Sequence, residues 1–179
     1  MKRYILKGLH HSVPRNLPIP KSKKTLTWDV QLLGDMAYEF PDWQTAGDGS
    51  DQWDWSKLLG VSWNWLNPDK AAAMIGWCYD PETKLIHLTP YFNRDGKRIY
   101  GEEVYKFPLW SKIRIKLNLD ESSKTCYFTF QNIEAGSDPK LTISKTYFIP
   151  YKKNYYLINF YFGGNRTAPK CVAVNIENK

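Results

Sequence analysis

Period-two alternation recurs along this chain, and it leaves room for little but β-strands. Across residues 112–119, Ile113, Ile115, Leu117 and Leu119 alternate with Arg114, Lys116 and Asn118. Successive side chains of a strand point to opposite faces, so this pattern makes one dry face and one wet face. Residues 25–33 repeat it: Leu26, Trp28, Val30 and Leu32 face one way, and Thr25, Thr27, Asp29 and Gln31 the other. Residues 2–7, 61–66, 74–79, 85–91, 105–107, 125–131, 141–144 and 171–176 read as further short strands. Residues 155–162 are apolar on both faces, which predicts a central strand covered on both sides.

The punctuation fits hairpins. Asn93-Arg94-Asp95-Gly96 carries an Asp-Gly turn signal, Asn67-Pro68-Asp69 joins two strands, and the polar residues 120–124 link 112–119 to 125–131. Pro14, Pro18 and Pro20 hold residues 13–20 extended and exclude a helix interior there. Residues 38–60 form a long loop rich in Trp, Asp and Gly, with one helical turn expected near 55–59. No repeat, low-complexity run or linker divides the chain, so residues 1–179 are expected to be one domain. Aromatics are 16% of the residues, and a single sheet would leave many of them wet. Two sheets packed face to face bury them, so the expected fold is an all-β, two-sheet antiparallel sandwich.

No apolar run approaches the roughly 18 residues of a membrane span. The opening residues 1–8 are charged without an apolar core, so no signal peptide is read in this numbering. That leaves cytoplasmic synthesis, a virion, or a secreted protein whose leader was removed. Cys78, Cys126 and Cys171 are odd in number and lack CxxC spacing, which argues against a disulfide framework and for buried reduced thiols. The net charge of +7 is unevenly spread. Residues 34–56 hold six acids and no Lys or Arg, whereas 139–176 hold six bases and no acid. Such a split suits head-to-tail contact between copies, or simply a mixed, solvated surface.

Residues Tyr155-Tyr156-Leu157-Ile158-Asn159-Phe160-Tyr161-Phe162-Gly163-Gly164-Asn165-Arg166-Thr167-Ala168-Pro169, with a final strand after them, resemble the C-terminal end of bacterial concanavalin A-like lectin/glucanase sandwiches. Trp110-Ser111-Lys112-Ile113-Arg114-Ile115-Lys116-Leu117 is similar to the first arm of their usual hairpin. Lys7-Gly8-Leu9-His10-His11-Ser12 resembles the opening of related bacterial and heparin-lyase-like sandwiches. The resemblance covers about a third of the chain and implies a jelly-roll topology of laminin-G-like kind. The fold hosts lectins, hydrolases, lyases and structural modules, so it does not choose among them.

The catalytic signatures of that resemblance are missing. Retaining glucanases of the fold place paired carboxylates on one strand face as E-x-D-x-E, and no such triplet occurs here. Lyases of the fold use a Q-x-H strand; His87 follows Leu85-Ile86, with no Gln two before it. His87, Tyr161 and Arg166 remain the candidates for a lyase site, against a plain polar role for His87 on a sheet face. Asp48, Asp51 and Asp54 lie in one Gly-bearing loop whose oxygens suit Ca²⁺, or solvent alone. Nucleic acid is disfavoured, because the Trp-rich loop is acidic.

Trp43, Asp51, Trp53, Asp54 and Trp55, with Trp63 and Trp65 behind them and joined by Asn165 and Arg166, are the candidate glycan-binding residues. Indoles stack on the C–H faces of sugars, while carboxylates and amides hydrogen-bond the hydroxyls. The competing role of Trp53 and Trp55 is to pin a long loop to the core. The expected function is therefore a non-catalytic carbohydrate-binding module. The first alternative is a structural subunit, such as a virion or decoration protein, partnered by other subunits or by copies of itself. A glycan lyase or hydrolase is the second.

Overall fold

A computed structural model describes residues 1–46, 49–100, 103–120, 122–123, 125–134 and 154–179, and the backbone of 142–147. Twelve strands occur among the described residues: β1 Lys2–Ile5, β2 Thr25–Leu32, β3 Ser56–Ser62, β4 Ala71–Asp80, β5 Leu85–Arg94, β6 Lys97–Tyr100, β7 Tyr105–Pro108, β8 Lys112–Asp120, β9 Thr125–Asn132, β10 Thr142–Tyr147, β11 Tyr156–Leu157 and β12 Val172–Asn178. They form two antiparallel sheets. Sheet A has the order β1-β12-β2-β8-β9-β10, and sheet B the order β11-β3-β4-β5-β6. Strand β7 shares the free edge of β5 with β6: β6 pairs with Tyr91–Arg94, and β7 with Leu85–Leu88. The architecture is an all-β sandwich of two sheets.

The alternating runs make sheet A. Trp28, Val30 and Leu32 of β2, Ile113, Ile115 and Leu117 of β8, and Val172, Val174 and Ile176 of β12 enter one buried cluster. Register places Trp28 beside Ile115 and Ile115 beside Phe130, so the inward rows are continuous across strands. Sheet B contributes Val61, Ala73, Ile75, Trp77, Tyr79, Ile86, Leu88 and Phe92 to the same cluster. Phe92 meets Phe128 across the gap at 6.1 Å between ring centroids, and Tyr105 meets Phe130 at 4.6 Å. These contacts join the sheets face to face.

The two outward faces differ. That of sheet A is polar and paired: Arg114 Nε and Nη2 donate to the two oxygens of Asp29 at 2.7 and 2.9 Å, and Asn175 donates to Gln31 at 3.0 Å. The guanidinium of Arg114 holds the Asp29 carboxyl below its ordinary range. Sheet B has no such wet face at its centre. Every residue of β4 from Ala71 to Asp80 is buried, so something covers both sides of that strand.

Several local expectations change. The helical turn expected near 55–59 lies instead at Asp51–Trp53, and residues 56–62 are strand β3. The run 155–162 is not a central strand: Tyr156–Leu157 forms a two-residue ladder with β3 at the edge of sheet B, and Tyr161 adds an isolated bridge to Lys57. Its far side is covered by the Pro-bearing stretch through isolated bridges, Lys21 with Tyr155 and His11 with Tyr161. Prolines deny that stretch the donors for a continuous ladder, so cover on both sides arises without a second strand. Cys78 and Cys126 are buried reduced thiols, pushed by burial up to about 12, whereas Cys171 is exposed, ahead of β12. Residue 141 lies outside the described residues. The Asp95-Gly96 hairpin between β5 and β6 has φ of 51° and 80°, as a tight primed turn requires. No helix among the described residues is long and apolar enough to cross a membrane.

Trp77 is the keystone of the core. It is fully buried, stacks on Phe160 at 5.5 Å, and meets Tyr38 and Phe162 edge-on. Trp77→Ala is expected to cost about 3–5 kcal/mol in urea unfolding at constant slope. A loss below about 1 kcal/mol, a surface-substitution value, would contradict this placement.

Candidate functional site

Register decides which side chains share the outward face of sheet B. Ala73, Ile75, Trp77 and Tyr79 point into the sandwich, so Ala72, Met74, Gly76 and Cys78 point out. Strand pairing sets Met74 between Gly60 and Tyr91, Ala72 between Ser62 and Asn93, and Gly76 between Lys57 and Thr89. Arg98 and Tyr100 of β6 extend the rows of Asn93 and Tyr91. Gly60, Ala72 and Gly76 make a trough of small residues that larger side chains fill from above. A Cβ on Gly76 would stand 2.9 Å from the Tyr91 ring and 3.3 Å from the Trp55 indole, so both aromatics lie over this position. Ala72, Met74 and Tyr91 form a second buried cluster, with Ile158 packed on it. This is what covers the outer side of β4. The Tyr91 hydroxyl is buried without a hydrogen-bond partner among the described residues, and burial holds it well above the ordinary tyrosine range.

Beside the trough lies a cleft of about 590 Å³. One wall is the Pro-bearing stretch, tied down by Asn16, whose backbone N donates to Asn159 Oδ1 at 2.5 Å and whose Nδ2 donates to the Ile158 carbonyl at 2.9 Å. The other wall is β3 and the loop after it. Tyr161 is fixed between them by reciprocal backbone bonds with Lys57, at 2.9 and 2.8 Å. Its ring stacks on His10 at 5.4 Å, meets His11 edge-on at 5.1 Å, and lies 4.9 Å from Lys57 Nζ. At the other end Trp65, 41% exposed, sits 5.8 Å from Tyr156. Tyr156 is opposite Ser62 and Tyr161 opposite Lys57. Across the bulge at Leu58 these two points lie opposite Ala72 and Gly76, so the two ends are about 13 Å apart along the sheet.

The polar lining has one sign. His11, Arg15 and Lys57 line the cleft with Asn16, Asn159, Ser62 and Tyr161, and no Asp or Glu is among its lining residues. Burial, then the charges of Arg15, His10 and Lys57, lower the His11 pKa. Burial also lowers that of Lys57, against the attraction of Asp69 at the rim. Asp69 is itself engaged, accepting from Asn93 Nδ2 at 3.0 Å. Among the described residues neither Lys57 nor Arg15 forms an ion pair with a neighbour.

The Trp/Asp loop takes a different form. Arg166 grips Asp42 through two bonds of 2.9 and 2.6 Å and sets its Nε 3.1 Å from Asp51. The Asn165 backbone N donates to the other Asp51 oxygen at 3.0 Å. Gly164, at φ 82°, lets the turn approach: a Cβ there would stand 2.5 Å from Asp54 and 3.1 Å from Asp51. Asp51, Asp54, Asn165 and Arg166 therefore converge, but their polar groups are largely spent on one another. Trp43 and Trp53, both half-buried, meet edge-on at 6.5 Å, while Trp55 turns onto the sheet face. Buried Gln52 anchors the loop, accepting from the Phe40 N–H at 2.9 Å and donating to the Tyr38 and Tyr79 carbonyls at 3.1 and 2.7 Å.

His87, Tyr161 and Arg166 are in three separate settings. His87 Nε2 lies 3.3 Å from Asp80, opposite Cys78; Tyr161 is with His10, His11 and Lys57; Arg166 is with Asp42 and Asp51. Among the described residues no three His, Cys, Asp or Glu side chains are grouped to hold a metal, and Asp48 lies outside the described residues. His11, Arg15, Asn16, Lys57 and Tyr156 were not among the sequence candidates for binding, and Trp65 entered only as a residue behind the Trp/Asp loop. Only the adjacent His10-His11 pair and the three prolines drew attention to that stretch, and nothing local ties it to residue 161. No protein-family model and no curated protein matches this chain.

Burial, followed by the hydrogen bond and charge of Asp51, raises the Asp54 pKa. The folded chain therefore holds that proton more tightly than the unfolded chain, and stability falls as pH rises from the ordinary aspartate range through the raised value. Asp54→Asn removes the penalty. Its thermal midpoint should exceed that of the parent at pH 7 and match it at pH 3, measured by scanning calorimetry. A lower midpoint at pH 7 would show that the carboxylate is needed ionised.

Proposed function

We propose that this protein is a non-catalytic glycan-binding module of concanavalin A-like type, and that it holds sugar in the cleft beside sheet B. The cleft carries the reading: an exposed indole with a tyrosine beside it at one end, and side-chain amides, a hydroxyl and cations along the walls. That is the mixture of apolar platform and few convergent polar groups expected of a saccharide site. Its walls are held by backbone and amide bonds to the sheet edge, so the site is largely formed before ligand arrives, which lowers the ordering cost of binding. The Trp/Asp loop then serves as a buttress that delivers Trp55 to the sheet face.

On a glycan array, Trp65→Ala should lower affinity about tenfold, the loss of one platform worth about 1.4 kcal/mol. Trp53→Ala should leave affinity unchanged in a folded protein. The reverse pattern would move the site to the loop.

A structural-subunit role draws on a different observation. Tyr4, Leu6, Leu9, Leu17 and Ile19 are exposed on and after the edge strand β1, an apolar surface suited to a neighbouring subunit. Under this reading sedimentation at low salt shows concentration-dependent association that Leu6→Lys with Leu17→Lys abolishes. A monomer at every concentration would remove it.

A further inference from the structure

We infer that the cleft is built for an acidic oligosaccharide, one whose sugar rings carry carboxylates, lying with an apolar ring face on Trp65 and Tyr156 and a carboxylate among Lys57, Arg15 and His11. This rests on the glycan-binding reading and names its substrate class. Three cationic or titratable side chains line the cleft, and no carboxylate does. Lys57 and Arg15 have no ion-pair partner among the described residues, although Lys57 is partly buried against the Tyr161 ring. Elsewhere the same chain pairs its structural cations closely, as at Arg114 with Asp29 and Arg166 with Asp42. A desolvated cation without a partner is costly, and an incoming anion removes that cost. Burial lowers both the His11 and the Lys57 pKa, with Arg15, His10 and Lys57 adding to it at His11 and Asp69 only partly opposing it at Lys57.

The shape of the cleft favours a sugar acid over a nucleic acid. Serial base stacking needs a row of free aromatic faces, but the Tyr161 ring is already engaged by His10 and Lys57, and exposed Trp65 with Tyr156 lies at the far end. A chain of phosphates would also need cations all along its path. Here the adjoining face carries Asp54, Asp69 and Asp80, and Arg98 alone among its neighbours in the outward rows is a guanidinium. A carboxylate fixed directly to a sugar ring keeps its charge close to the C–H face and matches the planar fork of Arg15. The spacing of about 13 Å between the platform and Lys57 calls for more than one linked ring.

The test uses the full chain and calorimetric titration with defined oligosaccharides: oligogalacturonates, oligomannuronates, oligoguluronates and hyaluronan fragments, each beside its methyl ester. At least one acid is expected to bind ten times or more tightly than its ester. Lys57→Met and Arg15→Gln should each close that gap and flatten the salt dependence while keeping the parental thermal midpoint. Equal binding of an acid and its ester overturns the inference and leaves the glycan reading standing. Preference for a sulfated, uronate-free oligosaccharide, or for single-stranded DNA, overturns the carboxylate assignment. No binding to any saccharide overturns both the inference and the reading beneath it.

Discussion

Burial of β4 on both faces is the constraint from which the rest of the molecule follows. One face is an ordinary sandwich interior, filled by Ile75, Trp77 and their partners from sheet A. The other would be wet in a plain two-sheet protein. Gly60, Ala72 and Gly76 keep that side low, so Met74, Tyr91 and Trp55 can lie down across it. Covering the strand thickens sheet B on its outer side, and the added layer has to end somewhere. It ends at the edge beside β3, where the cleft opens.

Electrostatics divides the surface in a matching way. Sheet A and the Trp/Asp loop pair charges internally, Asp29 with Arg114 and both Asp42 and Asp51 with the single Arg166. The cleft leaves its cations facing each other. Exposed ion pairs of the first kind contribute little to stability individually, but they remove competing charge from the surface. The cleft, lined by cations and by no carboxylate, adds a local positive field in a chain of net charge +7.

Sheet A was legible in the amino-acid pattern because one of its faces is wet. Alternation survives wherever solvent and core lie on opposite sides, and residues 25–33 and 112–119 could be read almost to the residue. It vanishes where both sides are covered. Hence the first five residues of β3, 56–60, were taken for loop and only 61–62 for strand, and the apolar run 155–162 was given a central place when it lies along the sheet edge. The meeting of Asp51 with Asn165 and Arg166 was anticipated from their chemistry, though not that these groups would satisfy one another. The cleft itself was not legible. It draws on residues near 11–16, 57–66 and 156–161, and the contacts that unite them depend on topology, which no local pattern encodes.

The Pro-bearing stretch that ties itself to β11 and the residues after it has a second consequence. An open sheet edge invites pairing with other chains, and here the edge is blunted by a segment that cannot offer a regular row of donors. The same segment supplies Arg15 and Asn16 to the cleft. Lifting it exposes bare backbone and dismantles the cleft in one motion. By mass action, any ligand that needs both walls of the cleft would favour the docked segment. A ligand bound in the cleft would therefore guard the sheet edge as well.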